Sequence, residues 1–388
     1  MNQHLPDRRD LYFTRLYYFV CLGGAGFIFP FLNLFYARQG LSGTQIGWVA
    51  ALGSLVALVA APFWTSHSER INNPRALLQA TILLSALGYL WLSQQQVFAW
   101  IALVAALRVL VSAGIYPMSD SLVLSVTGGT KSGFGSVRVW ASLGWAISVL
   151  FGGWLVEKTS LLAGFFGAIL TLLAGALLLF PIQARYFSPP AIQHQPTQGL
   201  RAVVSSLRAK PIMLALGAML VLVGLGNSGV LQFETIYLDT LGASEGVIGI
   251  ASMVSAAVEL PGMLWADRLV RKKSPYQLLQ TAMLMYVPLR ALVFLFPSVA
   301  TILVERAIGG IAFSLYTIAL VNSIARGTRP QETRTALALY NVTLASLVAI
   351  MANPLAGALY DLLGARWLYP FAILGYFLSW LILRRSAP

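Results

Sequence analysis

Arg138 lies in FGSVRVWASLGWA (134–146), and Asp120 closes YPMSD (116–120) on the other side of Gly128-Gly129. Both interrupt long apolar runs. An isolated ionised side chain at membrane depth costs several kcal/mol, and pairing reduces that cost. The two residues stand at nearly equal distances from the glycine pair, so an antiparallel helical hairpin turning there brings them to similar depth. The pattern predicts an Asp120–Arg138 ion pair facing an aqueous cavity. Arg138 would offer five donors in a planar fork, suited to paired hydroxyls or a carboxylate. A structural clamp across the hairpin, with Arg138 snorkelling to the interface, is the other reading. Trp145 follows Arg138 by seven residues, two turns along the same helix face. Its indole either stacks on an apolar ring face of a ligand or meets lipid.

The second half of the chain carries a different set of charges. Glu259 stands in AAVELPG, deep in an apolar run, with Pro261 beside it inviting a local break. A carboxyl shielded from bulk water can take up and release a proton, so Glu259 is a candidate for coupling, for substrate contact, or for a buried structural pair. Arg290 (MYVPLRALVF) and Glu305-Arg306 are also embedded. A guanidinium beside a carboxyl favours loss of its proton, which is how a relay would discharge. Glu234 joins this proton-coupling group or is only an interfacial charge. Asn33 either hydrogen-bonds a substrate or glues helices together.

These residues need helices to hold them, and the composition supplies the helices. Of 388 residues 58% are hydrophobic and only 10% charged, with a mean hydropathy of +0.75. A soluble chain of this length needs far more charge to cover its surface. The apolar residues fall into twelve runs of about 20, the length that crosses roughly 30 Å of hydrocarbon as a helix. They cover 15–37, 44–66, 75–93, 98–124, 135–156, 160–183, 211–237, 246–266, 275–296, 299–324, 335–360 and 366–383. The short alternating segments of a membrane barrel are absent.

The net charge of +13 is a topology signal rather than a nucleic-acid signal. With the N-terminus in the cytoplasm, Arg8, Arg9, Arg70, Arg75, Lys131, Arg201, Arg208, Lys210, Arg271, Lys272, Lys273, Arg326, Arg329, Arg334, Arg384 and Arg385 fall on the cytoplasmic side. Only Arg38, Lys158 and Arg366 fall outside, which puts both termini in the cytoplasm. The first run is too long for a signal-peptide core, so it reads as a retained helix. Cys21 is the single cysteine, and His4, His67 and His194 all lie outside the span cores, so neither a disulfide framework nor a metal site is expected.

The polar, proline-bearing segment 184–210 separates the sixth and seventh runs and reads as a linker between 1–183 and 211–388. The two halves repeat each other. Gly40, Ser42, Ile46 and Gly47 match Gly242, Ser244, Ile248 and Gly249, each 202 positions later, and Glu69-Arg70 matches Asp267-Arg268 at an offset of 198. The expected fold is therefore all-α and integral to the membrane: twelve transmembrane helices in two pseudo-symmetric six-helix bundles.

Twelve spans, a six-plus-six duplication and acidic-basic pairs after spans two and eight resemble the major facilitator superfamily over the whole chain. YPMSD and FGSVRVWASLGW further resemble the branch containing lactose permease and the nucleoside and phenylpropionate proton symporters. The resemblance implies that Asp120 and Arg138 bind substrate hydroxyls and that Trp145 stacks on the ligand ring. It implies that Glu259 and Arg290 match the span-eight glutamate and span-nine arginine of that branch. PFWTSHSERINNPR (62–75) and LPGMLWADRLVRKK (260–273) resemble the superfamily's loop motif, so Glu69, Arg70, Asp267 and Arg268 would make the charge contacts of a cytoplasmic gate. The first copy departs from that motif at Thr65 and Asn72, where glycine is usual. Ala307-Ile308-Gly309 stands where several relatives place a histidine, so carboxylates must carry any coupled protons. Arg108 in LRVLVSAGIYP resembles the span-four arginine of drug–proton antiporters, which keeps efflux open as the alternative to uptake.

No G-x-x-x-x-G-K-[ST], HExxH or CxxC motif occurs, and the acids are scattered at mid-depth. The sequence thus reads as a monomeric inner-membrane secondary transporter rather than an enzyme. The proton gradient would replace any cofactor or metal, with a small organic solute, protons and the lipid bilayer as its partners. A sugar, nucleoside or aromatic acid would be the solute.

Overall fold

The computed structural model describes residues 7–68, 70–128, 131–187 and 200–386. Among them there is no strand, and twelve helices are long and apolar enough to cross a membrane: α1 (Arg8–Arg38), α2 (Gly43–Ser68), α3 (Pro74–Leu92), α4 (Phe98–Val126), α5 (Gly133–Lys158), α6 (Leu161–Leu178), α7 (Pro211–Thr240), α8 (Glu245–Val270), α9 (Pro275–Leu295), α10 (Val299–Gly327), α11 (Pro330–Leu363) and α12 (Ala365–Ser386). Their bounds follow local chemistry. Pro74, Pro211, Pro275 and Pro330 stand in the first turns of α3, α7, α9 and α11, where a missing N–H costs nothing. Ser298 and Thr301 close a capping box at the start of α10.

The internal repeat is conformational as well as sequential. Gly40 and Gly242 have φ of 83° and 82°, the left-handed region that glycine enters freely. Around each, the same two bonds end the preceding helix: Leu41 N to Tyr36 O (3.2 Å) and Gly40 N to Ala37 O (2.9 Å), then Ala243 N to Leu238 O (2.9 Å) and Gly242 N to Asp239 O (3.0 Å).

The chain divides by contacts into two compact units. The first comprises Met1–Phe35, Leu55–Gln193 and Ser244–Met253; the second comprises Tyr36–Ser54, His194–Ala243 and Val254–Pro388. Residues 188–199, most of the expected linker, lie outside the described residues. The short helix Leu200–Arg208 begins at its other end.

In the first unit α1 is irregular. A π turn at Tyr18–Leu22 passes into 3-10 turns at Gly23–Phe27 and Phe29–Phe31 before α-helix resumes at Leu32. Glycines let this segment lie against α5: a Cβ on Gly23 would sit 2.6 Å from the Gly144 backbone, and one on Gly26 2.8 Å from the Trp145 carbonyl. A Cβ on Gly144 would overlap the Phe19 carbonyl. Gly144→Ala is therefore expected to destabilise the protein by about 1–3 kcal/mol, because backbone must move to admit it. A lowered Tm of the detergent-solubilised variant checks this.

In the second unit α7 packs on α11 and α12, and α9 on α10 and α12. Tyr286 and Tyr376 stack at 4.4 Å between ring centroids. The sequence predicts a break at Pro261; instead α8 runs unbroken through it. Ser314 Oγ of α10 donates to the Glu259 carbonyl (3.0 Å), a tertiary contact of the kind that keeps proline tolerable inside an apolar helix. The burial pattern suits lipid: Leu177, Leu231 and Leu264 are among the most exposed side chains, whereas Glu234, Arg290 and Glu305 are buried.

Candidate functional site

The first cluster forms where α1, α4 and α5 meet. Arg138 Nη1 lies 3.7 Å from Asp120 Oδ2. That separation is an ion pair without a closed hydrogen bond, so the guanidinium still presents its donors. Asp120 Oδ1 is held differently, by the Tyr18 hydroxyl, which donates at 2.8 Å. One residue back in each helix, Tyr17 Oη and Ser119 Oγ are 2.7 Å apart. The π turn beginning at Tyr18 follows directly on these contacts. The guanidinium carbon stands 5.8 Å from the Phe134 ring, and the Arg138 side chain is 60% exposed. Asp120 and Arg138 thus sit together, charge-balanced, with the guanidinium largely exposed.

Trp145 is half-buried and meets Phe29 edge-on at 5.6 Å, about 10 Å along α5 from Arg138. Trp140 meets Phe19 instead, at 6.3 Å. Asn33 is half-buried in the last segment of α1, 15 residues past Tyr18, and so roughly 20 Å from Asp120 in depth. The structure does not bring it to the pair. Arg108 packs against α3, its guanidinium carbon 4.5 Å over the Tyr89 ring and its stem against Gly88.

The second cluster is deeper. Arg290 Nη1 of α9 lies 3.0 Å from Glu305 Oε1 of α10 and 3.6 Å from Glu234 Oε1 of α7. Arg306 Nη2 pairs with Glu234 Oε2. The Tyr369 hydroxyl of α12 donates to Glu234 Oε1 at 3.1 Å. The guanidinium carbon of Arg290 is 5.7 Å from the Tyr286 ring and 5.9 Å from the Tyr369 ring. Two carboxylates and two guanidiniums sum to zero, which is what allows Glu234, Arg290 and Glu305 to be buried beside the partly exposed Arg306.

Glu259 is set apart from this tetrad. It is half-buried on α8, and Ser255 one turn earlier donates to its Oε1 at 3.0 Å. Among the described residues no cationic nitrogen lies within ion-pair distance of it.

Glu69 lies outside the described residues, and Arg70 is an exposed turn residue after α2. Asp267 pairs with Arg271 at 2.7 Å, not with its neighbour Arg268. Adjacent helical residues diverge by about 100°, whereas i and i+4 share a face. Among the described residues no group of three or more His, Cys, Asp or Glu side chains is placed to hold a metal ion.

Tyr18, Tyr369, Tyr286 and Ser255 are not singled out by the sequence. A tyrosine or serine in an apolar run is common, and only the facing helix tells which hydroxyl meets a carboxylate.

A model of the MFS_1 like family matches residues 12–371. The maltose permease of Geobacillus stearothermophilus is 32% identical over 278 residues, covering 69% of this chain and 67% of that protein. The multidrug resistance protein MdtG of Yersinia enterocolitica is 25% identical over 275 residues, covering 69% and 66%. Among solved structures, a point mutant of nucleoside transporter NupG superposes with a TM-score of 0.84 at 11% identity, covering 98% of this chain and 100% of that one. The structural likeness at that identity speaks for the fold alone.

Proposed function

Because the chain belongs to the MFS_1 like family and is a multi-pass membrane transporter of the major facilitator type, we propose that it takes up a small hydroxylated organic solute by proton symport. A sugar is the first candidate, with nucleosides and aromatic acids next. The observation that carries the reading is the Asp120–Arg138 pair, neutral overall yet not closed by a hydrogen bond. Solute hydroxyls donate to Asp120 and accept from Arg138, while Trp145 covers an apolar ring face. The named activity of the maltose permease relative supports the solute class.

Coupling falls to Glu259. The tetrad of Glu234, Arg290, Glu305 and Arg306 is internally neutral, so adding a proton to it would leave a cation uncompensated in a buried place. Among the described residues Glu259 is held by a serine hydroxyl and has no ion-pair partner, so it can change charge at less cost. Bundles 1–183 and 211–388 would rock to expose the solute site to each side in turn. The distribution of lysine and arginine supports an inner-membrane placement with both termini cytoplasmic. We take the working unit to be a monomer, with the proton gradient in place of a cofactor.

The test is accumulation of radiolabelled maltose, uridine and phenylpropionate in proteoliposomes under an imposed inward proton gradient. One of these accumulates in the wild type, and Asp120→Asn or Arg138→Gln lowers its apparent affinity by at least about 100-fold, the loss of one charge-assisted contact with the other charge left unpaired. Retained transport in both variants would reduce the pair to a hairpin clamp. A second reading has its own support: Arg108 has no carboxylate partner among the described residues, and MdtG is a relative. That reading, proton-antiport efflux of amphipathic compounds, requires the same gradient to drive solute out.

A further inference from the structure

A third residue keeps Asp120 and Arg138 from closing on each other. A carboxylate facing a guanidinium usually settles into short, paired hydrogen bonds. Here Asp120 Oδ2 stops 3.7 Å from Arg138 Nη1, while Oδ1 is occupied by the Tyr18 hydroxyl, which donates to it at 2.8 Å. With one oxygen taken, the carboxylate faces the guanidinium with the other alone.

Tyr18 is firmly held in this task. It is only 1% exposed, so its hydroxyl has little water to turn to. Its ring meets the Tyr17 ring edge-on at 5.9 Å. Tyr17 is itself tied to α4. Ser119 Oγ gives its hydrogen to the Ile115 carbonyl (2.6 Å), so in the 2.7 Å contact with Tyr17 the tyrosine is the donor. Two successive residues of α1 thus donate to two successive residues of α4. The first bond joins neutral, buried groups and fastens the helices. The second ends on a charged group that is one-third exposed and faces Arg138.

We propose that Tyr18 is a positioning residue for solute binding: by engaging Oδ1 it stops Asp120 from closing on Arg138, so that arriving hydroxyls meet an open pair. The proposal rests on the reading of that pair as the solute site. Tyr18 itself does not touch the solute. A closed, bidentate pair would have to be broken before hydroxyls could replace it, and affinity would fall by the cost of breaking it. With Tyr18 in place, one acceptor oxygen and the guanidinium donors are already apart.

The first measurement needs no known solute. Phenylglyoxal modifies free guanidiniums, and one locked to a carboxylate reacts more slowly. The rate at Arg138 is followed by peptide mass spectrometry on the full chain in native membranes, so the result does not depend on extraction. Tyr18→Phe lets Asp120 turn both oxygens to Arg138 and is expected to slow modification there at least about threefold. Tyr17→Phe breaks the neighbouring bond but leaves Asp120 held, and keeps the wild-type rate. In an Asp120→Asn background Tyr18→Phe has no further effect, because it acts through that carboxylate. An unchanged or faster rate at Arg138 in Tyr18→Phe overturns the proposal. Equal slowing by Tyr17→Phe also overturns it, since both bonds would then only fasten helices. In proteoliposomes, whichever of maltose, uridine or phenylpropionate the wild type accumulates should show an apparent KM about 10-fold higher in Tyr18→Phe, with the maximal rate kept within about twofold. An unchanged KM overturns the positioning role. Should the wild type accumulate none of the three, the symport reading fails, and the Arg138 rates still decide for or against Tyr18. Accumulation with unaltered Arg138 rates removes Tyr18 and leaves symport standing.

Discussion

Arg290→Ala is expected to be the most damaging single substitution in the chain, costing about 3–5 kcal/mol of stability. It takes away the cation 3.0 Å from Glu305 and 3.6 Å from Glu234, and leaves a net negative charge among side chains that are almost wholly buried. Neither carboxylate can reach water without disrupting α7 or α10. The variant should yield little monodisperse protein, and what remains should melt far below the wild type in detergent. Removing a pair together is a different change: Arg290→Leu with Glu305→Leu keeps the site neutral and should recover most of the lost Tm. A single Arg290→Ala variant with an unaltered Tm would show that these charges are solvated, and the tetrad would no longer be a fixed scaffold.

Glu259→Gln is expected to act on energy coupling with little effect on stability. The amide keeps the shape of the protonated acid and stays within reach of Ser255, but it cannot lose a proton. Under symport, a proton-imposed gradient then ceases to concentrate the solute, and the inside-to-outside ratio falls to about one, since no coupled charge returns. Exchange of labelled for unlabelled solute across the membrane continues, because that partial reaction needs no proton release. Accumulation by Glu259→Gln at the wild-type level would move coupling to Glu305 or Glu234 and reverse the division of labour proposed here. Glu305→Gln, by contrast, should lose stability first, since it unbalances the tetrad.

Several features of this architecture are readable in the residues. Apolar runs of spanning length give the twelve helices because a backbone in lipid has almost no other way to satisfy its polar groups. The repeat at Gly40 and Gly242 returns the same left-handed helix end because only that residue type enters the conformation without strain. Asp120 and Arg138 meet because a hairpin around Gly128 equalises their depth. Other contacts depend on which faces the helices turn to one another, and linear spacing does not carry that. Glu234, Arg290, Glu305 and Tyr369 come from four helices whose mutual rotation is set by packing such as the Tyr286–Tyr376 stack. The π turn that begins at Tyr18, the residue whose hydroxyl reaches Asp120, is invisible in composition. Asp267 reaches Arg271, four residues on and on the same helix face, as helix periodicity anticipates. Asn33 shares a helix with Tyr18 but not its depth.

The most direct measurement is of protons themselves. De-energised, weakly buffered proteoliposomes holding the wild-type protein receive maltose, uridine or phenylpropionate from outside, and the external pH is followed. Symport predicts that one of these solutes makes the medium more alkaline as protons enter with it, and that Glu259→Gln abolishes the change. Acidification of the medium, or solute entry with no movement of protons, would contradict the account.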